Sequence, residues 1–184
     1  MALLSRSVRL CLILANLSAL ARTAAPPADE PLGEYEVKAA FIYNFARYVE
    51  WPQKSFRSPA DPIAICVLGG DPMGHLLDEA VSGKTVEKHS LAVRRIAEIR
   101  EAGTCQIVFF AASHKMPREA LANLRMSGVL TVGETEGFAR RGGIIGFRVE
   151  EGHHIRFDVN IEAARDANLR ISSQLLSLAT IVKR

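Results

Sequence analysis

The fold is decided by residues 63–70, Ile63-Ala-Ile-Cys66-Val-Leu68-Gly69-Gly70. Six consecutive apolar residues between a proline and a glycine pair are typical of a strand that is buried on both faces, as in a parallel sheet. Gln106–Phe110 repeats this pattern, and Val129–Val132 repeats it again. A chain in which such strands alternate with helices is predicted to fold as a layered α/β domain.

Apolar residues recur at helical spacing on either side of these strands. They predict a first helix from Glu34 to Val49, which ends at Trp51-Pro52 because a residue before proline is kept out of helical geometry. Further helices are predicted over 71–81 and 117–126, and a further strand over 91–95. The apolar face predicted for the first helix consists of Val37, Ala40, Phe41, Phe45 and Tyr48.

The pattern changes towards the C-terminus. Ile144–Val149 and His154–Val159 both alternate as strands do, and the linker between them has the length of a hairpin loop. Asn160 is predicted to cap a short helix, Asn168 to end it, and Gln174–Val182 to form the last helix. The predicted fold class is therefore a three-layer, Rossmann-like α/β fold, with a mostly parallel sheet, helices on both faces and a C-terminal antiparallel hairpin.

The first 21 residues have the layout of a secretory signal peptide. A basic start with Arg6 and Arg9 precedes an apolar run, Leu10–Leu20, that is too short to span a bilayer comfortably. Ala19-Leu20-Ala21 then supplies the small residues that a signal peptidase requires. We predict cleavage after this site and a periplasmic location, and the alternative is an uncleaved membrane anchor. An exported chain does not meet cytosolic ATP or NAD, which argues against functions that depend on them.

The predicted organisation is a signal peptide over 1–21, a flexible mature N-terminus over 22–33 and a single α/β domain over 34–184. The mature chain is long enough to bury one full hydrophobic core. Its net charge falls from +3 to +1 because Arg6 and Arg9 leave with the signal peptide. No block of lysines and arginines remains, so the sequence gives no support to nucleic-acid binding.

Two cysteines, Cys66 and Cys105, remain in the mature chain. In an oxidising compartment an even pair indicates a disulfide first, here between residues that are 39 positions apart. The alternative is two unlinked, buried thiols. Metal binding by this pair has less support, because neither a Cys-x-x-Cys motif nor a histidine cluster accompanies it.

Gly69, Gly70 and Gly74 lie between a predicted strand and a predicted helix, as the glycines of a phosphate-binding loop do. His75 and Leu76 stand where a P-loop needs lysine and serine or threonine, and the glycine spacing fits no dinucleotide fingerprint. A turn without a ligand is the first interpretation. An anion or small-molecule site at the three glycines is the alternative.

The sequence contains no pattern that indicates catalysis. Its five histidines form no His-Glu-x-x-His motif, and no Gly-x-Ser-x-Gly elbow occurs. Ser172-Ser173 lacks the lysine of a Ser-x-x-Lys nucleophile. We therefore predict no catalytic residues, no metal site and no cofactor, and a protein that is not an enzyme. A secreted enzyme of unknown type is the third interpretation.

Several stretches of the chain resemble a known family. They are the first helix, Tyr35–Pro52; the two cysteine segments, Ile65–Gly69 and Thr104–Val108; and a C-terminal signature from Gly142 to Leu176 that carries Phe, Asn and Ser-Ser in order. These residues resemble the YfiR family, also called DUF4154. The resemblance spans nearly all of residues 34–184.

The resemblance implies a periplasmic α/β protein, often dimeric, without known catalysis. The best-understood members repress a membrane-bound diguanylate cyclase by contacting its periplasmic portion, and an outer-membrane lipoprotein sequesters the repressor. The family's cysteines fall on Cys66 and Cys105, which supports the disulfide. Some members carry a second cysteine pair near the hairpin. This chain has none there, so the resemblance does not extend to redox sensing by such a pair.

Two classes of function follow from these observations. We predict first a non-catalytic periplasmic regulator that binds and represses an inner-membrane signalling protein, most naturally a diguanylate cyclase, and so controls cyclic-di-GMP and biofilm. A lipoprotein partner and a homodimer are implied by the same resemblance. The alternative is a periplasmic small-ligand sensor that acts with a sensor histidine kinase, with Gly69, Gly70 and Gly74 in its pocket.

Overall fold

An eight-stranded sheet organises residues 33–113 and 118–183, the parts of the chain that the computed structural model describes. The predicted signal peptide lies outside these residues, as does nearly all of the predicted segment 22–33. The strands are β1 (Val49–Glu50), β2 (Ile63–Leu68), β3 (Thr85–Val86), β4 (His89–Ile96), β5 (Ile107–Phe110), β6 (Leu130–Gly133), β7 (Ile145–Glu150), β8 (His154–Asn160), β9 (Arg170–Ile171) and β10 (Thr180–Val182). The helices are α1 (Glu34–Tyr48), α2 (His75–Val81), α3 (Arg118–Met126), α4 (Ile161–Asp166) and α5 (Ser173–Leu176), with short 3-10 turns at Gln53–Ser55, Ile99–Thr104 and Glu151–His153.

The strand order across the sheet is β10-β8-β7-β6-β5-β2-β4-β3. The central strands β7, β6, β5, β2 and β4 all run parallel, and β10 is parallel to β8. The β7–β8 and β3–β4 hairpins pair antiparallel, and β1 and β9 form a separate two-stranded antiparallel sheet. These pairings confirm the predicted α/β class, with its mostly parallel sheet and its C-terminal hairpin.

Side chains of β2 alternate between two hydrophobic cores. Ile65 and Val67 belong to the larger core, which α1 and α2 cover. Cys66 and Leu68 belong to the smaller core, which α3 and the 3-10 turn Ile99–Thr104 cover. A strand that is buried on both faces has no solvent-facing positions for polar residues, which explains the uniformly apolar sequence of β2.

The first helix is confirmed, but its buried face is rotated from the predicted one. The buried residues of α1 are Lys38, Ala39, Ile42, Phe45 and Ala46. Ala40, which the apolar pattern assigns to the core, is exposed. The pattern misses this rotation because it treats Lys38 as a solvent-facing residue, whereas the carboxylate of Glu134, 96 residues away, pairs with this lysine inside the protein.

The predicted last helix, Gln174–Val182, is wrong. Ser172 starts a single turn, α5, and its hydroxyl oxygen accepts a hydrogen bond from the Leu175 amide at 3.2 Å. The chain then extends into β10, which pairs with β8 and places Ile181 beside Val159. Thr, Ile and Val are β-branched and favour strands, and the edge of β8 offers them unpaired backbone groups. Leu178, which helical spacing would place on one apolar face with Leu175 and Val182, is 66% exposed.

Two asparagines confirm the predicted ends of α4. The side-chain oxygen of Asn160 accepts the amide hydrogen of Ala163 at 2.9 Å, and its amide group donates to the Ala139 carbonyl at 2.9 Å. Asn168 has a φ of 55°, the left-handed conformation that ends a helix. The sequence predicts both roles because each depends only on the residue type and on the backbone next to it.

Phe138 occupies a slot between two glycines. A Cβ atom added to Gly133 or to Gly143 would lie well inside 3.0 Å of the Phe138 ring, a separation that real Cβ atoms do not show. The ring is buried and packs 5.5 Å from Phe110, measured between ring centroids. The glycines therefore allow the backbone of the sheet to approach an aromatic ring from two sides.

Candidate functional site

The carboxyl edge of the parallel sheet contains a topological switch point. The chain continues from β2 to β4 on one side and then crosses to β5 on the other side. Loops diverge at such a point and leave a crevice, which is where open α/β sheets bind their ligands. The loop after β2 contains Gly69, Gly70 and Gly74, so the structure places the three predicted glycines at this end of the sheet.

The amides of this loop already have protein acceptors. A carboxylate oxygen of Asp71 accepts hydrogen bonds from the amides of Met73 and Gly74, both at 3.0 Å. The Gly70 amide donates to the Ser113 hydroxyl oxygen at 3.3 Å. An anion at this loop would have to compete with Asp71 for the same donors, so the ligand site at the glycines stays a prediction.

Arg95 of β4 fastens the loop to the rest of the domain. Its guanidinium group donates to the Asp71 carboxylate at 2.8 Å, to the Gly74 carbonyl at 2.6 Å and to the Asp78 carboxylate at 2.9 and 2.5 Å. Hydrogen bonds from Arg95 lower the pKa of Asp78, and hydrogen bonds to the two carboxylates raise the pKa of Arg95. The network holds the loop against β4 and α2 in one geometry.

A buried ion pair lies at the same edge of the sheet. Lys38 of α1 is 2% exposed, and its Nζ atom lies 2.6 Å from the carboxylate of Glu134, which directly follows β6. The same Nζ atom lies 2.5 Å from the Glu34 carboxylate. The second oxygen of Glu134 accepts the amide hydrogen of Ala112, just after β5, at 2.8 Å. Lys38 therefore joins the first helix to the ends of two parallel strands.

The electrostatics of this cluster keep the lysine charged. Burial alone would lower the pKa of Lys38, but hydrogen bonds to Glu134 and Glu34 outweigh burial and raise it. Burial, with the nearby Glu134 charge, raises the pKa of Tyr35, whose ring centroid lies 4.6 Å from the lysine nitrogen. A lysine that is held as a cation cannot act as a nucleophile. The cluster is suited to holding α1 in place and unsuited to covalent catalysis.

Cys66 of β2 and Cys105 form a disulfide, in agreement with the predicted pairing. Their Cα atoms lie 6.0 Å apart, and both residues are buried in the smaller core. Cys105 directly follows the 3-10 turn Ile99–Thr104, so the bond ties this turn to the central strand of the sheet. A cross-link of this span stabilises a domain by about 4 kcal/mol in the chain-entropy model.

A cavity of about 680 Å³ lies at the opposite edge of the sheet, near the amino-terminal end of β2. This volume is in the usual range of small-molecule sites. Its walls are built from the end of α1, the segment 49–59 and the turn between β3 and β4. Its aromatic and basic lining residues include Arg47, Trp51, Phe56, Arg57, Lys88 and His89.

The aromatic wall of this cavity is held by hydrogen bonds from behind. The rings of Phe56 and His89 stack with their centroids 4.0 Å apart, and His89 Nδ1 lies 2.6 Å from the Asp61 carbonyl oxygen, to which it donates. The Trp51 indole donates to the Gln106 carbonyl oxygen at 3.2 Å. These bonds fix the ring positions before any ligand arrives, and such preorganisation lowers the entropic cost of binding.

The sequence pattern does not predict this cavity. Trp51 is identified from sequence as the end of a helix and as part of the stretch Tyr35–Pro52 that resembles the family, and His89 only as one of five histidines. The lining comes from three separated segments, and no fixed spacing connects them. Glu87, which also lines the cavity, has a φ of 53°, the positive value that the first residue of a two-residue hairpin turn adopts between β3 and β4.

Comparison with protein families gives a match over residues 35–180, to the model described as YfiR/HmsC-like. The chain belongs to the YfiR/HmsC-like family. The match runs from α1 to the first residue of β10 and includes both cysteines of the disulfide. The family is known for regulatory, non-catalytic proteins.

Among solved structures, the chain is similar to a conserved domain protein from Vibrio cholerae O1 biovar El Tor strain N16961. The TM-score is 0.56 at 13% sequence identity, and the match covers 84% of this chain and 62% of that one. This chain therefore spans less than two thirds of that protein, and the likeness concerns the fold alone. A comparison with curated proteins gives no match.

Two further observations concern only the described residues. None of the helices within 33–113 and 118–183 has the length and apolar character needed to cross a membrane. Within the same ranges, no group of three or more His, Cys, Asp or Glu side chains is placed to hold a metal ion.

Proposed function

We propose that the chain is a periplasmic regulator that binds the periplasmic portion of an inner-membrane diguanylate cyclase and represses it. Repression then lowers cyclic-di-GMP and limits biofilm formation. The observation that carries the proposal is the family match over residues 35–180, which spans almost all of the described fold.

Two features of the chain support the periplasmic part of this proposal. The first 21 residues have the layout of a cleavable signal peptide. The Cys66–Cys105 disulfide suits an oxidising compartment, because cytosolic thiols are kept reduced.

Regulation by binding requires that the partner's active and inactive states bind this protein with unequal affinity. A tenfold difference corresponds to about 1.4 kcal/mol, which a few side-chain contacts can supply. The loop after β2 suits this task because Arg95 fastens it to β4 through Asp71 and the Gly74 carbonyl. A partner that meets a fixed surface loses little binding free energy to ordering it.

Deletion of the gene tests the proposal. We expect cyclic-di-GMP and biofilm to rise in the deletion strain, and to return to the starting level when the full-length chain is supplied. A chain without residues 1–21 is the matched control, because it folds in the wrong compartment and should not complement. Unchanged cyclic-di-GMP after deletion would contradict the diguanylate cyclase as partner.

The proposal includes two assemblies that family membership suggests. An outer-membrane lipoprotein would relieve repression by sequestering the regulator, and the regulator itself would form a homodimer. Light scattering of the purified mature chain tests the homodimer, and the expected mass is twice that of the monomer. Co-purification from outer membranes tests the lipoprotein partner.

Small-ligand sensing is a second candidate function, and the 680 Å³ cavity favours it. Its aromatic wall of Trp51 and Phe56 suits a planar group, and Arg57 suits an anionic one. A sensor of this kind would act with a sensor histidine kinase. We expect a thermal-shift screen of amino acids and nucleotides to raise the midpoint of the wild type and to leave a Phe56→Ser variant unchanged. No shift with any compound would contradict this candidate.

A further inference from the structure

A second cavity, of about 410 Å³, lies beside the disulfide. Cys105 lines it, together with Ala64 of β2 and Ala92 and Arg94 of β4. These residues of β2 and β4 share the sheet face of Cys66, because Ala64 pairs with Ala92 and Cys66 pairs with Arg94 in the parallel register. The cavity therefore opens on the face of the smaller core, away from α1.

Positive charge is concentrated in this cavity. Its lining includes three basic side chains, those of Lys54, Arg57 and Arg94, and one acidic side chain, that of Asp61. Asp61 already accepts the backbone amides of Arg57 and Ser58 at 2.9 and 3.1 Å. In the part of the chain that the structure describes, none of the three basic side chains forms an ion pair.

Arg94 is oriented towards the cavity by a short chain of hydrogen bonds. Its Nη1 atom donates to the Thr104 hydroxyl oxygen at 3.1 Å, and that hydroxyl donates to the Glu101 carbonyl at 3.0 Å. The disulfide at Cys105 holds the segment that carries Thr104. One side of the guanidinium group is thus anchored, while its remaining N–H groups are left for another acceptor.

The lining also offers room. Ser55 lines the cavity beside the basic residues. Thr104 and Ser127 line it too, but their hydroxyl groups already donate to the carbonyls of Glu101 and Asn123. At Gly103 an added Cβ atom would meet no heavy atom within 4 Å, so the backbone there is open to a ligand. Guanidinium and ammonium groups around one concave surface are a donor set that binds tetrahedral oxyanions.

We propose that this cavity binds a phosphate group, with Arg94 and Lys54 as its principal ligands and Arg57 beside them. Arg57 lines both this cavity and the larger one, so a ligand here also changes the charge at the rim of the larger cavity. A free phosphate compound and a phospholipid headgroup both present this chemistry. The proposal does not depend on the identity of the membrane partner.

The first test uses inorganic phosphate and the purified mature chain. We expect phosphate to raise the thermal midpoint above that in sodium chloride of equal ionic strength. Arg94→Met and Lys54→Met should each weaken the apparent affinity about tenfold, because each removes one charge-assisted contact. Both residues are exposed, so both variants are expected to fold, and their midpoints without phosphate verify this. Arg100→Met is the matched control, because Arg100 is 78% exposed and pairs with Glu98 outside the cavity.

The second test distinguishes the two sources of phosphate. If the ligand is a lipid headgroup, vesicles of phosphatidylglycerol should sediment the wild type and Arg100→Met, but not Arg94→Met. If the ligand is free in solution, the phosphate response should appear without vesicle binding. The proposal is overturned if neither phosphate nor vesicles bind, or if Arg100→Met weakens binding as much as Arg94→Met does.

Discussion

Glu134→Gln and Glu34→Gln each remove the charge of one of the two carboxylates that contact Lys38. The two contacts have nearly equal lengths, 2.6 and 2.5 Å, but the side chain of Glu134 is 5% exposed and that of Glu34 is 38% exposed. Breaking a buried pair costs about 3–5 kcal/mol, because the remaining charge stays buried without its partner. An exposed pair four residues apart in a helix contributes about 0.3–0.5 kcal/mol. The Glu34–Lys38 pair is closer to this case than to a buried pair, because the Glu34 carboxylate keeps contact with water, although Lys38 itself is buried.

We therefore expect Glu134→Gln to lower the free energy of unfolding by about 3 kcal/mol, at the lower end of that range. The reason for the lower end is that Lys38 retains Glu34, and the glutamine retains an oxygen for the Ala112 amide. Glu34→Gln should lower it by less than about 1 kcal/mol.

Urea unfolding at neutral pH measures both variants, with an unchanged slope showing that the two-state comparison is valid. Lys38→Met combined with Glu134→Gln is the matched control, because it removes both buried charges. This double variant should be more stable than the sum of its two single variants implies. Equal destabilisation by Glu134→Gln and Glu34→Gln would refute the argument that burial decides the strength of these pairs.

Three further predictions concern stability. Gly143→Ala should lower the free energy of unfolding, measured in urea, by about 1–3 kcal/mol, because the added methyl group meets the Phe138 ring. The loss should be smaller in a Phe138→Ala background, where the methyl group has space. An equal loss of stability in both backgrounds would contradict the packing argument. Cys66→Ser should lower the thermal midpoint and the folded periplasmic yield, because it removes the disulfide and with it about 4 kcal/mol of stability. A wild type that is equally stable with and without reductant would contradict this prediction. The stability that Lys38 contributes should be fully present below its ordinary pKa of 10.5, and it should be lost as the pH rises through the higher pKa of Lys38 in the folded state. If the wild type and Lys38→Met lose stability in the same way at alkaline pH, this prediction is wrong.

The sequence predicts the centre of the sheet well because burial on both faces is visible locally. Ile63–Leu68 has no polar residue, so only a fully buried strand fits it. The cap at Asn160 and the left-handed residue Asn168 are likewise predicted from residue type alone, since both depend on the backbone next to them. The hairpin of β7 and β8 follows from alternation on either side of a glycine-containing loop.

The errors arise where the deciding partner is far away in sequence. Leu175, Leu178 and Val182 have helical spacing, but the edge of β8 pairs with Thr180–Val182 and makes a strand. The burial of Lys38 depends on Glu134, which lies 96 residues away. No local pattern can report either partner.

The candidate sites show the same division. The glycine loop after β2 is visible in the sequence, and the structure places it at the switch point as the loop's position in the pattern implies. The two cavities are not visible, because their walls combine short segments that come together only in the folded domain. Trp51, Arg57 and Arg94 have no distinguishing spacing, and only the structure identifies them as lining residues.

The most direct test of the central claim is a pull-down from crosslinked membranes, with the mature chain carrying a C-terminal tag as bait. The proposed function predicts recovery of an inner-membrane protein with a diguanylate cyclase domain, crosslinked through its periplasmic portion. Recovery of a histidine kinase in its place would keep regulation by binding and contradict the cyclase as partner. Recovery of no membrane protein would contradict repression by direct binding and favour the ligand-sensing function.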